Sequence, residues 1–211
     1  MHKKLIRIFL KKDFKLSHLV CLFALSCVIA LTSCKTEQVA EGEAYIDSIN
    51  HEAISLSNAS SVTISSEDRV YYLVRHAEKD TVGKDPDLTP DGYARAGKLA
   101  KIFKAARVDE VYSTMYMRTL MTADSISKSK GMPMKTYDPK SLKVFAERLK
   151  NIEDQKRFVI VGHSNTTPAL ANHIHGKEVL KDFDEKDYDN LIVVIQSKDK
   201  ESQLHQLKFK P

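Results

Sequence analysis

Two runs, Val70-Tyr-Tyr-Leu-Val74 and Phe158-Val-Ile-Val161, are apolar at consecutive rather than alternate positions. Short β-prone runs of that kind suit strands of a sheet covered on both faces. Helical patterns stand between such runs. Thr89-Pro90-Asp91-Gly92 supplies an N-cap, a proline at the first helical position and an acid in the first turn. A helix is predicted from there to about Ala105, burying Ala96, Leu99, Ala100 and Phe103. A strand over Asp109–Ser113 and a helix from about Tyr116 to Lys130 follow, broken by Gly131-Met-Pro-Met134, which leads to a third short strand. Asp138-Pro139 opens a helix carrying Leu142, Phe145, Ala146 and Leu149 at helical spacing. The strand Arg157–Val161 precedes a helix from about Thr167 to His175, stopped by Gly176, and Leu191–Ile195 and Leu204–Phe209 close the chain as strands. Strands alternating with helices of this length predict an α/β layered fold around a mostly parallel sheet. In such a sheet, ligands sit at the carboxyl ends of the strands.

The N-terminus reads as an address. Six basic side chains lie among the first 33 residues, ahead of and beside the apolar run Leu16–Leu31, with one acid, Asp13. That layout matches a secretory signal, and the run is too short and too interrupted by Ser17, His18 and Ser26 for a spanning helix. Leu31-Thr32-Ser33-Cys34 resembles a bacterial lipobox, which implies removal of residues 1–33 and lipidation of Cys34. The protein is therefore expected to be exported and held at a bacterial envelope membrane by its lipid. All three cysteines, Cys21, Cys27 and Cys34, fall in or beside this segment, so the mature chain has no pair for a disulfide. The basic surplus also resides there. From residue 34 onward the chain carries 27 charges of each sign, which argues against a nucleic-acid partner bound through global basicity. Residues 34–68, without a strong period, read as the lipidated cysteine and a tether with one short strand near Ser61–Ser65, leaving 69–211 as the domain.

Three strands end in polar residues. The first runs into Arg75-His76-Ala77-Glu78-Lys79, the second into Ser113-Thr114 with Arg118 just inside the next helix, and the fourth into Gly162-His163-Ser164-Asn165. If these strands are neighbours, two arginines and two histidines meet in one crevice, a set suited to a phosphoryl group. A guanidinium binds two phosphate oxygens at once, and an imidazole among guanidiniums is biased to its neutral, nucleophilic form. Gly162 allows close backbone approach, and Asn165, Thr166 and Pro168 begin a helix whose free N–H groups favour an anion.

Leu73-Val-Arg-His-Ala-Glu-Lys79 resembles the signature of the histidine phosphatase superfamily, also called phosphoglycerate-mutase-like. Leu88-Thr-Pro-Asp-Gly92, Arg95-Ala96, Val111-Tyr-Ser-Thr114, Arg118-Thr119, Thr122-Ala123 and Val161-Gly-His-Ser164 follow in the same order, over roughly residues 69–197. The resemblance implies a three-layer α/β/α sandwich and phosphoryl chemistry that requires no metal or other cofactor. It makes His76 the nucleophile, with Arg75, Arg118 and His163 as the phosphate pocket; Asn165, at the start of the helix after the fourth strand, is a separate candidate phosphate contact.

The family's general acid has no evident counterpart, because Ser164 stands where some relatives carry an aspartate directly after the second histidine. Glu78 and Glu147 are the candidates, and a site without a dedicated acid is the third possibility. A site of that third kind would favour good leaving groups such as phosphoanhydrides or phosphohistidine. A zinc site built on His76, Glu78 and His163 lacks any accompanying His-Glu-x-x-His element or cysteine pair. The expected activity is a phosphatase acting on a small phosphoester, phosphoanhydride or phosphoprotein. The alternative is a membrane-tethered phospho-ligand binding protein without turnover. The charged segment Lys181–Asp187 reads as solvated surface, and nothing in the sequence specifies an oligomer.

Overall fold

The computed structural model describes residues 44–198 and 200–210. The lipobox cysteine Cys34 and the signal-like residues 1–33 lie outside the described residues. Three strands come first, β1 (Ile46–Ile49), β2 (Ala53–Leu56) and β3 (Ser61–Thr63), paired antiparallel in that order. Then follow β4 (Arg69–Arg75), α1 (Pro90–Ile102), β5 (Glu110–Ser113), α2 (Met117–Lys130), β6 (Met134–Thr136) and α3 (Leu142–Lys150). The chain ends with β7 (Arg157–Gly162), α4 (Thr166–His175), β8 (Asn190–Gln196) and β9 (Gln203–Lys208).

Six strands form the main sheet in the order β6-β5-β7-β4-β8-β9. The first four run parallel, while β8 and β9 are antiparallel additions. Side chains alternate across β4, so Val70, Tyr72 and Val74 join one core with Leu99, Ile102 and Phe103 of the α1 region and Ala123 and Ile126 of α2. Tyr71 and Leu73 join the other, with Phe145 and Leu149 of α3 and Leu170 and Ile174 of α4. Helices on both faces of the sheet make the expected three-layer sandwich, and the period-two alternation within an unbroken apolar run is what feeds both cores.

The predicted helices hold to within a turn. Thr89 caps α1 by accepting from the Gly92 amide (3.1 Å). α2 ends at Gly131, whose φ of 64° is the left-handed conformation that glycine adopts without penalty. α3 starts at Leu142, later than Asp138-Pro139 suggests, because Asp138 closes a turn by accepting from the Ser141 amide (3.1 Å).

The tether reading of residues 34–68 requires correction over its described part. Residues 46–63 form a β-meander, with a strand at Ser61–Thr63 where one was predicted and two more before it. Ile46, Ile49, Ile54 and Ile64 are buried in the same core as α1 and α2. Arg157, itself 1 % exposed, donates to the carbonyls of His51 (2.7 Å) and Ser65 (3.1 Å) and staples the meander to β7. Its apolar positions are spaced by turns rather than by one regular period, so they escape a periodicity test.

Candidate active site

Parallel pairing of β4 with β7 and of β7 with β5 sets three strand ends side by side, with Arg75 level with Gly162 and Ser113 with Val161. The residues just beyond, His76, Thr114 and His163, therefore converge. The rings of His76 and His163 lie 5.5 Å apart at 68°. A cleft of about 700 Å³ opens there, lined by His76, Arg118, His163, Ser164 and Asn165 among others.

His76 is 3 % exposed, and its Nδ1–H donates to the Ala77 carbonyl (2.8 Å). A carbonyl can only accept, so the proton sits on Nδ1 and the Nε2 lone pair is left for chemistry. Burial, followed by the charges of Arg75 and Arg118 and by His163, outweighs that backbone bond and lowers the His76 pKa to about 3. His163 is held differently. Arg118 NH2 donates to its Nδ1 (3.4 Å), so Nε2–H donates to the Thr114 hydroxyl (3.0 Å). Burial first, then Arg118 and Arg75, lower its pKa to about 4. Both imidazoles are neutral at physiological pH.

The motif threonines fix this arrangement. Thr122 accepts from the Ala77 amide (3.0 Å) and donates to the Arg118 carbonyl (2.7 Å), tying the segment after β4 to α2. Thr119 donates back to the Thr114 carbonyl (3.1 Å). A side chain at Gly92 would put its Cβ 2.1 Å from the Glu78 carbonyl oxygen, which explains the glycine in the Leu88–Gly92 motif. A Cβ at Gly162 would stand 2.8 Å from the Thr167 hydroxyl and 2.9 Å from that of Tyr137, so the close approach there comes from hydroxyls of the fold. Thr166 accepts from the His163 amide (3.0 Å) and shapes the start of α4, while Asn165 lines the cleft with no side-chain cap bond.

Arg118 lines the cleft, its guanidinium 4.6 Å from the Tyr116 ring and paired with Asp85 at 3.5 Å. Arg75 does not itself line the cleft; its side chain is 1 % exposed and adjoins His76. The Nε atoms of both arginines are buried without a partner.

The two carboxylates proposed from sequence as general acids are placed elsewhere. Glu78 is gripped by Arg95, whose Nε and NH2 both donate to it (2.6–2.9 Å). Burial alone would raise its pKa, but the Arg95 fork and charge prevail and lower it, so it stays ionised. Glu147 is exposed on α3, paired with Lys150 at 2.6 Å, and does not line the cleft. Its helical position in an ordinary amphipathic pattern points it to solvent.

Several neighbours of the site were not legible in the sequence. Asp85, from the loop between Asp80 and Asp87, accepts from the Met117 amide at the start of α2 (3.1 Å) and meets Arg118. The segment Lys181–Asp187, read as solvated, folds onto the site. Phe183 is buried and its amide donates to the Ser164 carbonyl (2.9 Å), Ser164 donates to Glu185 (2.6 Å), and Glu185 pairs with Arg75 (2.9 Å). Six of its seven residues carry charge, and that composition hid the single buried anchor, Phe183. Among the described residues, no group of three or more His, Cys, Asp and Glu is placed to hold a metal ion.

The sequence profile described as "Histidine phosphatase superfamily (branch 1)" matches residues 71–139, the segment carrying His76, Arg95 and Arg118. Over that segment the chain is similar to the histidine phosphatase superfamily. A candidate phosphoserine phosphatase 2 of Hydrogenobacter thermophilus is 40 % identical over 67 residues, which are 28 % of this chain and 33 % of that protein. The match thus spans about a third of that relative's length. Among solved structures, a candidate alpha-ribazole-5'-P phosphatase from Escherichia coli aligns with a TM-score of 0.56 at 14 % identity, over 66 % of this chain and 96 % of the other. A candidate phosphohistidine phosphatase SixA from Nakamurella multipartitia aligns with a TM-score of 0.50 at 17 % identity, over 67 % and 96 %. At these identities the structural likeness establishes that this chain shares their fold.

Proposed function

We propose that this chain is a metal-independent phosphatase working through a phosphohistidine intermediate. The observation that carries the reading is the state of His76: neutral, with Nδ1–H tied to Ala77 and Nε2 unprotonated, beside His163 and two arginines with unpartnered Nε atoms. The Nε2 lone pair attacks phosphorus, and the bond from phosphorus to the leaving oxygen breaks with its electron pair. Water then attacks the phosphohistidine, the P–N bond breaks, and phosphate leaves as His76 regains its lone pair. Arg118 and Arg75 meet the charge on the phosphoryl oxygens throughout, as fixed donors do in phosphoryl transfer. An arriving dianion would also draw a proton onto His163 Nδ1, converting that atom from acceptor to donor.

No dedicated proton donor is assigned. Glu78 is held by Arg95, and Glu147 lies outside the cleft. The chemistry therefore favours leaving groups that depart without help, such as aryl phosphates, phosphoanhydrides and phosphohistidine, over alkyl phosphates. The phosphatase names of the relatives agree with the reaction class. The protein is further proposed to be exported and lipid-anchored at Cys34. Metabolic labelling with a fatty-acid probe should tag the wild type and leave Cys34→Ala unlabelled.

Rapid acid-free quenching after mixing full-length protein with a ³²P-labelled aryl phosphate tests the reaction. The expected product is a covalent label on His76 that is stable in alkali and lost in acid, formed equally in EDTA and absent from His76→Ala. Turnover abolished by EDTA, or retained in His76→Ala, would overturn the reading. Phosphate binding with no label and no turnover would favour a phospho-ligand binding protein.

A further inference from the structure

The Arg75 side chain is buried, yet every partner it has comes from one loop far along the chain. NH1 donates to the carbonyls of Asp184 (2.9 Å) and Asp187 (3.1 Å). NH2 donates to the Glu185 carboxylate (2.9 Å), and the Tyr188 ring stacks on the guanidinium with its centroid 4.1 Å from Cζ. The same loop is anchored to the turn that carries His163, through the Phe183 amide to Ser164 O (2.9 Å) and the Ser164 hydroxyl to Glu185 (2.6 Å). A guanidinium has five N–H donors. Both on NH1 and one on NH2 are used, which leaves Nε–H, buried and unpartnered, and one hydrogen of NH2. Those two nitrogens share an edge of the planar group, the geometry that grips two oxygens of one phosphoryl group.

We infer that the segment Asp184–Tyr188 is a cradle that orients Arg75 for the phosphoryl group, with Tyr188 as its chief positioning residue. Tyr188 also stands 6.1 Å from the His76 ring, so one aromatic face borders both the nucleophile and the arginine beside it. The carbonyls fix the guanidinium along one edge, Glu185 closes the corner, and Tyr188 sets the plane. Without the ring, Arg75 keeps its charge but loses the orientation that makes two simultaneous bonds possible. The inference rests on the phosphoryl site proposed above and adds a recognition element that none of the strand-end motifs contains.

The test uses full-length protein, with aryl phosphate kinetics, inorganic phosphate as the binding probe, and thermal melting. Tyr188→Ala should raise KM and the phosphate Kd by about tenfold or more, with a smaller effect on kcat, because binding shared by ground and transition states is what it removes. Tyr188→Phe keeps the ring and should stay within about twofold of wild type. Glu185→Gln keeps an acceptor on NH2 and should shift KM by about two- to threefold. Should Tyr188→Ala fail to melt cooperatively, Tyr188→Leu retains bulk without the aromatic face and is expected to show the same weakened phosphate binding.

Unchanged KM and phosphate Kd in the folded Ala or Leu variant would overturn the cradle while leaving the phosphatase reading intact. A wild type that binds phosphate without turnover, and loses that binding in Tyr188→Ala, would sink the phosphatase reading and uphold the cradle. No phosphate binding by the wild type would overturn both.

Discussion

Arg75 and Arg118 carry the same charge to the same pair of histidines and are held in opposite ways. The Arg75 side chain is 1 % exposed and bound by two carbonyls, a carboxylate and an aromatic ring. Arg118 is 17 % exposed and, besides the Tyr116 ring 4.6 Å from its Cζ, makes two long polar contacts, 3.5 Å to Asp85 and 3.4 Å to His163. The first is set before any ligand arrives, by backbone and side chains of a single loop. The second has partners that a phosphoryl group can replace. Around the two histidines one guanidinium is therefore rigidly held and the other is free to adapt.

That contrast predicts unequal consequences. Arg75→Ala should cost both function and fold. It leaves two carbonyls without their donor beside a void, so a loss of about 3 kcal/mol in stability is expected along with loss of measurable turnover; melting and kinetics check this together, and an unchanged Tm would remove the distinction drawn here. Arg118→Ala should lower kcat/KM by about 10²- to 10³-fold, the usual toll for one donor to a transition-state oxyanion, while its Tm stays within a few degrees. Asp85→Asn sharpens the comparison further, since asparagine still caps α2 but no longer competes for Arg118. Phosphate should bind it about two- to fivefold more tightly by calorimetry, and weaker binding would show that Asp85 orients Arg118 instead.

The smallest expected effect is on protonation. With pKa values of about 3 and 4, His76 and His163 should remain neutral by NMR down to about pH 5, where a free imidazole of pKa 6.5 is mostly charged. The unfolded chain takes up those protons first, so their contribution to stability is complete above about pH 6.5 and declines as pH falls toward 4. Arg118→Gln should move the His163 titration upward only part of the way, because burial rather than Arg118 is the larger cause.

The difference between the arginines also marks how far the sequence could be read. His76, Arg118 and His163 follow directly from strand ends and motif order, because parallel pairing brings strand termini together whatever the loops do. The threonines at 114, 119 and 122 stood in recognisable motifs, and the structure supplies their reason as brackets between strand ends and α2. The environment of Arg75 left no such trace. Its partners lie 109–113 residues away in a charged loop, and two of the bonds go to backbone carbonyls, which any residue provides. Glu78 shows the reverse error. Proximity to His76 in sequence made it a candidate acid, whereas Arg95, one α-helix later, claims it. The first two strands of the meander at residues 46–63 were missed for want of a regular period, although each of its buried isoleucines is worth about 1.5–3 kcal/mol.

The two ends of the described residues meet. Tyr45 bridges to Lys208 alongside β9, with the Lys210 ammonium 4.9 Å from its ring, and the Phe209 amide donates to the Asp189 carbonyl (3.0 Å) one residue past Tyr188. Residues 44–210 are therefore closed into a loop by contacts rather than by a bond. A short peptide joining residue 210 to residue 44, with new ends opened at the exposed Val82–Lys84 turn, should give a circularly permuted protein with the same core. Clipping the last few residues should do the opposite, loosening the first strand and, through Asp189, the surroundings of Tyr188 and His76.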